Sequence, residues 1–247
     1  SKVVDESGKP LVVYHGTRNR FTAFNSFSHF GTKDAAKERM DYIGVKNGEL
    51  MPVYLNIRNP LRIQDNGLVT PLDLVRAIEE SSDIRIDSDG IIEAWVETLS
   101  PKEAKRAAEL IGFIEPETIG KNEIAEELLQ LFQERNYSQV NDIIYGGDIR
   151  DTNVPMGNFE KAYKDIDMAM FDADYDGLIY RNAYEDKGRD SYIAFSPTQI
   201  KSVYNRGTFD PTNPDIRFKL GEGGKSPIDD LKAMVEYGAN RLGKVNY

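Results

Sequence analysis

The sequence contains no cysteine. That excludes disulfides, thiolate metal sites and a cysteine nucleophile, and it fits a reducing compartment. Histidine is nearly absent, with two in 247 residues, too few for a histidine-rich metal centre. No apolar run approaches a bilayer-crossing length of about 20 residues, and no secretory signal is visible. The expected setting is cytoplasmic, with no membrane partner and no metal. The first residues begin abruptly, as expected of a piece cut from a longer polypeptide. No Walker loop, zinc spacing, nucleophile elbow or GxGxxG turn occurs, and no serine is marked for a Ser-His-Asp set. Basic charge is in deficit, with 31 Lys and Arg against 41 Asp and Glu and a net charge of −10. Generic polynucleotide affinity needs a basic surface to displace counterions, so this balance argues against it; the acidity favours solubility.

What is present is a large apolar complement, 40% of the chain with 13 Tyr and 11 Phe. That suffices for one large domain, or one domain with an insertion. Residues 10–17, PLVVYHGT, read as a buried strand. Thr32 caps a helix that carries Ala35, Ala36, Arg39 and Met40 at helical spacing. Residues 51–63, MPVYLNIRNPLRI, are β-rich, with a break at Asn59-Pro60. Helical texture then runs from about residue 70 to 147, with cap-then-proline starts at Thr70-Pro71 and Ser100-Pro101. A further helix over 158–173 sets Phe159, Tyr163, Ile166, Met170 and Phe171 on one side. Strands return at DGLIYRN and SYIAFSP, and SPTQIKSVYN reads as a capped helical turn. Residues 207–218 read as a surface meander, LGEGGKS as a linker, and residues 226–242 as a last helix. Strands near both ends with helices between favour α+β over a doubly wound sheet.

Both histidines precede Gly-Thr: His15-Gly16-Thr17 and His29-Phe30-Gly31-Thr32. A strand-ending His followed by Gly leaves the backbone open to a flat ligand. The imidazole suits a ribose hydroxyl, the Gly16 main chain a carboxamide, and Thr17 adds a hydroxyl. The plainer reading is a histidine that caps a turn. His29 or Phe30 suits stacking on a ring, and Arg39 suits a phosphate or a weak surface ion pair. Tyr42 is a second stacking candidate or a core residue. Glu185, Asp186 and Asp190 lie between two strands, as candidate acids or as solvated loop charges. Asp172, Asp174, Asp176 and Gly177 match positions 1, 3, 5 and 6 of a calcium loop, but Ala183 stands where a bidentate Glu is needed. An acidic turn before a strand is the better reading.

Five segments in order, residues 2–17, 29–39, 53–63, 175–202 and 207–218, resemble the ADP-ribosyltransferase domains of bacteriophage polyvalent proteins and related mobile-element toxins. They span most of residues 1–218 apart from the helical stretch. The resemblance implies an α+β split β-sandwich with a helical insertion at about 68–147, the fold filling residues 1–220 and a linker and helix filling 221–247. It implies loss of nicotinamide from NAD, the substrate, and transfer of ADP-ribose to a host macromolecule, protein rather than nucleic acid. The alternatives are an NAD glycohydrolase or a degenerate NAD- or partner-binding module. The wider class, similar to diphtheria toxin and the poly-ADP-ribose polymerases, uses His, Tyr and usually Glu. The His carries over onto His15, and the Tyr segment onto His29-Phe30. Ser191 stands where the Glu is expected, so the acid falls to Glu185, with Asp190 second. Arg39 is assigned to the pyrophosphate.

Overall fold

The computed structural model describes residues 1–147, 156–205 and 212–217. The expected linker and last helix lie outside them. Among the described residues, seven strands form two sheets. The first contains β1 (Val13–Thr17), β3 (Glu49–Leu55) and β7 (Ile200–Ser202), in the order β1-β3-β7. The second contains β2 (Ser28–Phe30), β4 (Pro60–Ile63), β5 (Gly177–Arg181) and β6 (Asp190–Ala194), in the order β2-β6-β5-β4. Among these strands, β4 and β5 alone pair in parallel. The β-rich stretch at 51–63 thus splits between sheets. Asp176 secures the crossing, its carboxylate accepting from the amides of Arg58 and Asn59. Pro60, which has no N–H, opens an edge strand where none is needed.

Helix α1 (Lys33–Tyr42) follows β2, and Thr32 caps it by accepting from the Ala35 amide. Then come α2 (Pro71–Ser81), α3 (Ser88–Thr98), α4 (Pro101–Ile111), α5 (Lys121–Gln133), α6 (Tyr137–Ile144) and α7 (Glu160–Asp172). Both cap-then-proline starts close full capping boxes, Thr70 with Asp73 and Ser100 with Glu103. Each box satisfies otherwise orphaned helix N–H groups.

Strand alternation sends the four-stranded sheet into two cores. Leu61, Ile63, Leu178, Tyr180 and Ile193 face the helices and join Leu72, Val75, Trp95, Leu128 and Ile166. Phe30, Tyr192 and Ala194 face the other sheet and join Val13, Val53, Leu55 and Ile200. Each fully buried side chain of this size contributes about 1.5–3 kcal/mol relative to exposure. The sheets meet at β1 and β2, where Tyr14 and Gly31 exchange two main-chain hydrogen bonds of 2.8 and 3.0 Å.

Several elements differ from expectation. Helix α3 lies inside the stretch of helical texture but lacks a cap-then-proline start; Asp87 caps it, and Ile91, Ile92, Trp95 and Val96 are buried. The capped turn at 197–199 runs on into strand β7, and β2 is a strand as well. Each has three residues, too short to show a period. On α7, Phe171 is exposed at 50%, so the buried stripe is Phe159, Ile166 and Met170.

Candidate functional site

His15 lies at the sheet junction. Its Nδ1 is 2.8 Å from the main-chain oxygen of His29. A carbonyl only accepts, so Nδ1 carries the proton and Nε2 is left as an acceptor. The ring sits among Phe21, Phe24 and Phe30, with centroids 6.1, 5.2 and 5.7 Å away. Burial lowers its pKa, partly offset by the bond to His29, so the imidazole is neutral at pH 7.

Gly16 is a glycine for a different reason from the one expected. A Cβ there would stand 2.6 Å from Met40 Cγ and 2.7 Å from the Ala36 carbonyl oxygen. The missing side chain lets β1 pack on α1. Its peptide groups still face outward: Tyr14 bonds Gly31 away from β3, and two residues on, Gly16 turns the same way in an antiparallel ladder. The Thr17 hydroxyl donates to the Asn19 carbonyl within its own turn.

His29 and Phe30 part company. Phe30 is 2% exposed between the sheets, so it cannot stack on a ligand. This corrects its assignment to the site. His29 faces the helical side, with Nδ1 3.2 Å from the Tyr180 hydroxyl. Its pKa falls to about 4, first through burial and then through the charge of Arg39 and the presence of His15. Burial also raises Tyr180, reinforced by Asp65 and Glu185. Both groups therefore stay uncharged at pH 7.

Glu185 sits in the β5–β6 turn, half-buried, with Oε1 3.7 Å from Arg39 Nη1. Burial raises its pKa, Arg39 opposes the rise, and Asp65 and Glu38 add to it. The turn is tied down by polar contacts. The Asn182 side-chain oxygen Oδ1 accepts from the amides of Tyr184 and Glu185, and the Asp65 carboxylate accepts from Ala183 N at 2.8 Å. Asp186, at φ 41°, offers its amide to Glu38 and accepts from the Thr32 hydroxyl. The turn is therefore pinned to the start of α1 and to the segment that leads into α2.

The remaining candidates lie elsewhere. Asp190 makes a two-pronged pair with Arg62, at 3.0 and 2.9 Å, on the opposite face of the sheet from His29. Ser191 is buried and accepts from Asn182 Nδ2 at 3.0 Å. Tyr42 is 58% exposed rather than in the core, and Arg39 lies over its ring at 5.6 Å. Sequence reasoning missed Tyr180, Asn182, Asp65 and the ring pair Phe21–Phe24. Asn182 had a signal, an Asn whose side chain meets the amides two and three residues on, as in an Asx turn. Tyr180 looked like core.

The gathered set is therefore His15, Gly16, His29, Arg39, Tyr180 and Glu185. An open depression lined by Ile84, Arg85, Lys161, Asp165 and Met168 shares no residue with it. No helix among the described residues is long and apolar enough to cross a membrane. No curated protein and no solved structure matched the sequence. Residues 5–209 match the family described as ADP-ribosyltransferase in polyvalent proteins, and the chain belongs to that family.

Proposed function

We propose that the protein transfers ADP-ribose from NAD to a macromolecule, with release of nicotinamide, and that the gathered set is its site. Family membership supports the reaction class. The observation that carries the site is the state of His15. Its Nδ1–H is spent on the His29 carbonyl, which leaves a neutral, accepting Nε2 beside the outward peptide groups of Gly16. An accepting imidazole suits a ribose hydroxyl, and an N–H and C=O pair suits a carboxamide. The donor set fits a dinucleotide.

NAD supplies an ADP-ribosyl group whose bond to nicotinamide gains positive charge at the ribose carbon as it breaks. Glu185 is the side chain suited to that charge. A half-buried carboxylate acts across a lower dielectric than water, and fixed groups of this kind contribute a few kcal/mol each. Arg39 is the cation suited to the pyrophosphate. Its side chain is 45% exposed and meets Glu185 at 3.7 Å. Such a pair holds weakly, so an anionic ligand can draw Arg39 away and free the carboxylate. Stacking falls to His29 and not Phe30. The acceptor is a host macromolecule, protein rather than nucleic acid, given the net charge of −10.

The test is incubation with NAD labelled separately in nicotinamide and in adenine, with and without host lysate. The expected result is nicotinamide release, with adenine label on macromolecules only when lysate is present. Free ADP-ribose without lysate would make the protein a glycohydrolase. Binding without release would make it a degenerate module, and the absence of both binding and release would refute the proposal.

A further inference from the structure

The polar groups behind His29 run in one direction. The amides of Tyr184 and Glu185 can only donate, so the end of Asn182 that meets them, at 3.3 and 3.1 Å, is its carbonyl oxygen. The other end is the NH2 group, which donates to Ser191 Oγ at 3.0 Å. Ser191 keeps its own proton to give. Its partner across the β5–β6 ladder is Tyr180, so the two hydroxyl side chains stand on the same face of the sheet. The Tyr180 hydroxyl then meets His29 Nδ1. Tyr180 is 7% exposed, and a buried hydroxyl proton needs an acceptor because leaving it unpaired is costly. Nδ1 is the acceptor in reach. A neutral imidazole that accepts at Nδ1 carries its proton on Nε2.

We propose that Asn182, Ser191 and Tyr180 form a positioning chain that fixes His29 as the Nε2–H tautomer, and that His29 donates this hydrogen bond to an acceptor oxygen of the bound dinucleotide. The identity of the ligand rests on the function proposed above; the tautomer does not. The two imidazoles then offer opposite polarity, His15 accepting at Nε2 and His29 donating there. Burial first, and then the charge of Arg39, keeps His29 neutral. Asn182 also holds the amide of Glu185, so one buried side chain orients both the acid's backbone and the imidazole's proton.

A chain with two histidines gives a simple test. Long-range proton–nitrogen NMR of the 15N-labelled full chain at pH 7 should show two neutral imidazoles of opposite tautomer, Nδ1–H for His15 and Nε2–H for His29. Tyr180→Phe should move His29 alone to a mixture of tautomers. Ser191→Ala, which keeps the phenol, should shift it less. Added NAD should shift Nε2 of both rings. Like tautomers in the wild-type protein, or NAD shifting His15 but not His29, would overturn the positioning chain and leave the proposed function standing. NAD shifting neither ring would overturn both.

Discussion

The two walls of the proposed site are built from different materials. The His15 wall is apolar: Phe21, Phe24 and Phe30 surround the ring, and one main-chain carbonyl fixes its proton. The Glu185 wall is a polar turn, held by Asn182, Asp65, Thr32 and Glu38. Packing gives the first wall its shape, because a close-packed interior admits few arrangements. Hydrogen bonds and charge give the second its chemistry, because burial and neighbouring charges set the protonation of Glu185, Tyr180 and His29. Changes on the first side should therefore be read mainly as lost stability, and changes on the second mainly as altered protonation and rate.

The largest effect should come from breaking the apolar wall. Phe30→Ala empties a site that is 2% exposed and should cost about 3–5 kcal/mol in urea denaturation; a cost below 1 kcal/mol would deny that Phe30 holds the wall. Next is a titration on the polar side. His29 has an ordinary pKa of 6.5, lowered to about 4 in the fold. Between those values the unfolded chain binds a proton that the folded chain does not, so stability falls as pH drops through the window. The loss should be at most about 3 kcal/mol. Urea midpoints at pH 7 and 4.5, with His29→Gln as reference, should show the extra slope in the wild type only. Gly16→Ala, which pushes a methyl onto Met40 and the Ala36 carbonyl, should cost about 1–3 kcal/mol by thermal melting. The smallest effect should be at Arg62→Ala. It breaks an exposed pair with Asp190 and should cost less than about 1 kcal/mol without changing nicotinamide release.

Legibility in the sequence followed the length over which a signal extends. The capping boxes at Thr70 and Ser100 are local chemistry and were readable in four residues. The split at Asn59-Pro60 was visible for the same reason. Strands β2 and β7 were not, because three residues hold no period and both depend on partners far along the chain. His15 and Glu185 could be nominated from their neighbourhoods. That Phe30 turns inward while His29 turns toward Tyr180 depends on register with β6, which pattern alone does not fix. Tyr180 was hidden for a related reason, since an aromatic alternating with Leu178 reads as core whatever its hydroxyl touches.

The central claim is that the acid of this site is Glu185, beside Arg39, and not Asp190, beside Arg62. Nicotinamide release measured side by side for wild type, Glu185→Gln and Asp190→Asn tests it most directly. The account predicts a loss of about 10²–10³-fold for Glu185→Gln, with NAD still bound, and a rate within about twofold of wild type for Asp190→Asn. A Glu185→Gln protein that releases nicotinamide at the wild-type rate, or a large loss confined to Asp190→Asn, would contradict it.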